Sequence, residues 1–173
     1  DDQLCRLKSV ALSVLGERDP QFTVAPEQRF AIREEGKCLR YSQQLRNGLA
    51  DTLALLGSYP EALSSCTQGT AEATASNVVR KLLSSGDWVI WAGLNDLLPL
   101  LAEAAPNVFL DAVEKAASAD GSLFKSLYGQ EGSGLTGRNY MTGLLWALET
   151  LAWSQEYLAR VVMILGELAV NDP

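Results

Sequence analysis

Histidine is absent from the 173 residues, and that absence excludes more chemistry than any motif supplies. Without an imidazole the chain cannot build a Ser-His-Asp triad, a Cys-His pair, a histidine metal site or an imidazole proton shuttle from its own residues. Cysteine is scarce. Cys5, Cys38 and Cys66 are odd in number, widely spaced and without a Cys-x-x-Cys, so neither a disulfide framework nor a zinc cage is suggested. Cys5 sits in an apolar stripe and reads as a small buried hydrophobe, and a reducing cytoplasm is the default setting. No run of about 18 apolar residues occurs, so no membrane span is expected. No D-x-D-x-D-G loop occurs either, and Asp87, Asp96, Asp111 and Asp120 read as scattered caps and surface acids. No cofactor or metal is implied.

A hydrophobic fraction of 47% with 20% charged residues describes a globular chain, and the length suits a single helical domain over 1–173. The net charge of −7 is unevenly placed. Residues 1–86 carry ten basic and ten acidic side chains, whereas residues 87–173 carry four basic and eleven acidic. An acidic chain repels phosphate backbones, which makes nucleic acid an unfavourable partner for the whole. The start, Asp1-Asp2-Gln3, has no initiator Met and no signal-peptide pattern, and the end stops just after a helix. Both ends read as cut, as in an excised piece of a longer protein.

Helical periodicity dominates. Leu4, Leu7, Ala11 and Val14 form one face of a first helix ending near Gly16. A shorter, more polar helix is expected over 27–35. Ser42 can cap a third, striped by Leu45, Leu49, Leu53 and Leu56, with Gly57 as its stop. A short helix near Pro60 follows, then one capped by Thr70 and striped by Ala71, Ala75, Val78 and Leu82. Residues 87–91 carry strand propensity but lack a partner strand, so they read as helical or irregular. Further helices are predicted over 95–105, opened by Asn95, over 106–118, opened by Pro106, and over 140–152 and 155–170, with Ser154 capping the last. The joints Ala104-Ala105-Pro106 and Trp153-Ser154 are short enough to force antiparallel αα-hairpins. The fold class is all-α, with antiparallel hairpins stacked as a short α-solenoid or an irregular helical array.

Residues 42–170 resemble HEAT-like or TPR-like α-solenoids in general pattern. The most distinctive strings are Leu-Pro-Leu-Leu-Ala-Glu-Ala-Ala-Pro (98–106) and Leu-Leu-Trp-Ala-Leu-Glu-Thr-Leu-Ala-Trp (144–153). Both strings are also similar to helical regions of very large bacterial multidomain proteins, some with nucleotide-binding modules. The resemblance implies a scaffold whose curved face binds another protein or a neighbouring domain of its parent.

Four groups of residues are candidates for a site. Gly132, Gly134 and Gly137 match G-x-G-x-x-G, and Gly129 to Thr136 match a phosphate-binding loop except that Leu135 stands in place of its Lys. No buried strand precedes the glycines, so the segment reads as an inter-helix loop that binds no nucleotide. Arg29, Arg33, Lys37 and Arg40 would lie on one face of a helix, either as an anion or acidic-partner face or as a solvated face with local ion pairs. Trp146, Trp153 and Tyr157 form an aromatic ridge that reads as core. Glu149 among them could be a buried carboxylate paired with Arg160 or Arg138, or part of a carboxylate-based site. In the last helix Tyr157, Val161, Ile164, Leu165 and Leu168 form one apolar stripe and Leu158, Val162 and Ala169 another. A helix apolar over most of its circumference is expected to be buried on several sides, which predicts a packing interface or self-association.

The leading expectation is a non-catalytic helical-repeat scaffold or protein-interaction module of a larger protein. The alternatives are a helical nucleic-acid- or anion-binding module using the 29–40 face, and a carboxylate-based enzyme or ligand-binding domain around Glu149.

Overall fold

A computed structural model describes residues 1–29, 38–118, 122–129 and 139–170. Among them are nine α-helices and no strand: α1 (Asp2–Leu15), α2 (Gln43–Ser58), α3 (Thr70–Leu83), α4 (Trp88–Gly93), α5 (Leu98–Ala104), α6 (Pro106–Ser118), α7 (Ser122–Tyr128), α8 (Thr142–Ala152) and α9 (Gln155–Val170). Buried apolar residues from Leu4 to Leu168 join into one core.

The helix ends follow local chemistry. Ser42 Oγ accepts the Leu45 N–H and Asp87 Oδ1 accepts the Val89 N–H, each satisfying a donor that the first turn leaves unpaired. Asp87 thereby settles residues 88–93 as helix: aromatic and β-branched residues yield once a cap and tertiary packing favour the turn. Thr70 does not cap α3. Gly69 takes that position with φ +80° and Thr70 begins the helix, because only glycine reaches the left-handed region cheaply. Nor does Gly57 end α2, which continues to Ser58. A Cβ on Gly57 would stand 1.9 Å from the Ala104 carbonyl oxygen, so this glycine lets the backbone of α5 lie against α2.

The short helix α5 is the hub. It packs against α2, α3, α6 and α8, and Leu98, Leu101, Ala102 and Ala104 are all buried. A helix enclosed on so many sides can be only seven residues long because tertiary packing, not propensity, holds it. Asn95 leads into it through a 3-10 turn, Asn95–Leu97, rather than opening an α-helix directly. Buried Asn95 accepts the Gly143 N–H at 3.0 Å and donates to Asp96 at 3.0 Å, tying the start of α8 to the hub.

Arg46 is fully buried on α2. Its guanidinium donates to the carbonyls of Val14 at 2.6 Å and Gly93 at 3.1 Å. These belong to the last turn of α1 and the last residue of α4, where carbonyls lack intrahelical partners and the helix dipole favours a cation. Burial pulls the Arg46 pKa below its ordinary value, with Glu17 and Asp19 opposing that shift.

Candidate interaction surface

The C-terminal pair α8–α9 carries more apolar side chains than it can bury. Leu144, Ala147, Leu148 and Leu151 of α8 face inward, and α8 packs on α5. On the opposite side Leu145, Trp146 and Glu149 are exposed, with Trp153 just beyond. The aromatic ridge is therefore not core: Trp146 is 61% and Trp153 86% exposed, while Tyr157 is half-buried. Residues 146, 149 and 153 fall on one helical arc, and the arc holding Leu144, Leu148 and Leu151 already fills the contact with the hub.

Helix α9 separates its two stripes. Val161, Ile164 and Leu168 are buried, and Tyr157 packs against that core. Leu158, Val162 and Leu165 are exposed, Val162 at 58%. Leu165 thus belongs with the outer stripe rather than the inner one. Met163, 71% exposed, and Val170 extend the outward surface, as do Ala159, Gly166 and Ala169. At 100° per residue these positions span about 160° of circumference without a charge. Leu145, Met163, Gly166 and Val170 are members of this surface that the sequence pattern did not single out, because which arc of a helix stays exposed depends on what α8 and α9 pack against.

Charge frames the face. Glu149, Glu156 and Glu167 are exposed. Arg160, the sole cation in residues 139–170, is held on the flank toward α6. Its Nε and Nη2 donate to Glu114 at 2.8 Å each, Nη2 also reaches Asp111 at 2.7 Å, and Nη1 reaches Asn107 at 3.2 Å. The Glu114 hydrogen bonds lead in raising the Arg160 pKa above its usual value, against partial desolvation. Burial, followed by the neighbouring Glu156, raises the Tyr157 phenol above its ordinary value. Arg160 therefore serves Glu114 and Asp111 and not Glu149, which stands in solvent with no hydrogen-bond partner among the described residues. Arg138 lies outside the described residues.

The other candidates disperse. Arg29 is buried, its guanidinium 4.9 Å from the Phe22 ring centroid and 5.7 Å from that of Tyr140. Such stacking draws the cation into an aromatic pocket and away from any solvent-facing strip. Arg40 is exposed and lies 5.8 Å over the Tyr41 ring. Arg33, Lys37 and residues 130–138 of the glycine loop lie outside the described residues. Cys5 is exposed, not buried, because its position on α1 falls beside the Leu4–Ala11 stripe rather than within it; Cys38 is exposed and Cys66 half-buried.

No family model, curated protein or solved structure matches this chain. Among the described residues no three His, Cys, Asp or Glu side chains gather as a metal site, and no helix is long and apolar enough to cross a membrane. A groove of about 530 Å³ between α3, α6 and α7 has an apolar floor including Leu83, Val108 and Leu123, with Arg80 and Lys115 at its edge. Asp111, the one carboxylate among the described residues that line it, is engaged by Arg160.

Proposed function

We propose that this chain is a non-catalytic helical scaffold, of the α-solenoid kind that its helix pattern resembles, and that it docks another protein or a neighbouring domain through the outer face of α8–α9. The observation that carries this reading is the concentration of exposed large apolar side chains. Val10, Leu45, Leu55 and Tyr59 are the only ones before residue 145 among the described residues, whereas eight lie between Leu145 and Val170. Scattered exposed leucines are ordinary, but a contiguous apolar patch on a globular protein marks a contact site. Two tryptophans and a methionine within it fit the composition of interface cores, where aromatic residues and Met are enriched.

A photo-crosslinking residue at Met163 tests the reading in cells expressing the intact protein. The expected result is a specific adduct, to a second polypeptide or to another segment of the parent. The same crosslinker at Leu55, exposed on α2, should give none. Equal yields, or none at Met163, would overturn the reading.

A further inference from the structure

Resting on the interaction reading above, we propose that the α8–α9 face accepts a basic amphipathic helix: a partner with an apolar stripe flanked by lysine or arginine. Two observations define the occupant, its shape and its charge.

The shape is a seam. Leu158, Val162, Leu165 and Ala169 follow one another at spacings of four, three and four, the alternation that keeps a stripe facing a second helix along its length. A partner can then lie nearly along α9, at a crossing angle of about 20°. Ala159 and Gly166 line one side of the seam, and a Cβ placed on Gly166 would meet nothing within 4 Å. The partner's side chains have room there to settle against the backbone of α9.

The charge selects the partner's flanks. Exposed carboxylates lie on either side of the seam: Glu149 among the tryptophans of the outer arc of α8, and Glu156 on the polar edge of α9. The only cation of the segment, Arg160, is already bound by Glu114 and Asp111. A helix with basic flanks meets complementary charge on either side of its apolar stripe. A second copy of this chain would bring the same carboxylates against themselves, and like-charge juxtaposition slows encounter and weakens association. Anionic lipid surfaces are disfavoured for the same reason.

Two synthetic amphipathic helices with identical leucine faces, one flanked by Lys and Arg and the other by Glu, discriminate the possibilities. Each is titrated into the full chain at low salt. The readout is the blue shift of Trp146 and Trp153 fluorescence as these side chains leave water. The basic helix should bind about tenfold tighter than the acidic one, and the gap should close as salt shortens the screening length. The double variant Glu149→Gln/Glu156→Gln should bring the two affinities within about twofold, while Val162→Glu should weaken both.

Equal affinity for the two helices, lost on Val162→Glu, would overturn the basic-partner inference and leave the docking face standing. A concentration-dependent dimer abolished by Val162→Glu would assign the face to a second copy and likewise overturn it. Failure of both helices to bind a monomeric chain would overturn the inference, while the interaction reading stands or falls with the crosslink at Met163.

Discussion

Helices α2 and α9 are each 16 residues long, yet they use their side chains in opposite ways. On α2 six residues are buried, including Arg46, and the helix packs against α1, α3 and α5. Its water-facing positions are largely polar, among them Gln43, Gln44, Asn47 and Asp51. On α9 only Val161, Ile164 and Leu168 are buried, although its outward arc is almost wholly apolar. The more apolar helix is the less covered one. Burial in this chain follows the number of neighbours a helix has, and the apolar excess of α9 exceeds what α6 and α8 can cover.

The contrast can be broken most forcefully at Arg46. Replacing it with Met leaves the Val14 and Gly93 carbonyls buried without their donors and should cost about 2–4 kcal/mol. The check is a lower urea midpoint at unchanged slope. A loss below about 1 kcal/mol would mean that desolvating the guanidinium nearly cancels the two bonds it makes.

Glycine gives the next test. Gly57→Ala forces a Cβ into the backbone of Ala104 and should destabilise by about 1–3 kcal/mol as α2 and α5 are pushed apart. Gly166→Ala on α9 meets open space and removes a flexible residue from a helix interior, so it should stabilise by about 0.5–1 kcal/mol. Thermal unfolding of the pair should move the midpoint in opposite directions. A shared direction would show that the two faces are not distinguished as described.

The alkaline limb offers the smallest effect. The folded-state pKa of Tyr157 is raised, so the folded chain holds the phenolic proton more tightly than the unfolded chain does. That contribution is complete below the unfolded value, near 10, and fades as pH rises through the higher folded value. Tyr157→Phe should flatten the decline of stability above about pH 10, seen as converging midpoints for variant and parent. An unchanged slope would remove Tyr157 from the account.

The all-helical character was readable because the 3.6-residue pattern and the caps at Ser42 and Asp87 act locally. What sequence could not supply were facts about distance. Gly57 looked like a stop because a glycine near a helix end commonly is one; only the approach of Ala104 reveals its use. Arg46 counted as one of ten cations in the neutral half until the ends of α1 and α4 converged on it. Arg29 looked like part of a basic face until Phe22 and Tyr140 were brought to its guanidinium. The doubled apolar stripe of the last helix was visible, since period alone shows it. The assignment of Trp146 and Trp153 failed because aromatic residues at helical spacing fill cores in most helices, and which arc faces the core depends on where α5 lies.

The four hydrogen bonds of Arg160 have a consequence for how the outer face meets a partner. By gripping Glu114, Asp111 and Asn107, the guanidinium adds to the buried Val161, Ile164 and Leu168 in setting the rotation of α9 about its own axis. Rolling the seam inward to hide its leucines and valine would break these bonds and expose Val161, Ile164 and Leu168. A partner of the kind proposed would therefore meet a surface already in its bound form and be spared the entropic cost of ordering it. Association should then leave the helix content unchanged and show the negative heat-capacity change of apolar burial, without the larger signature of coupled folding.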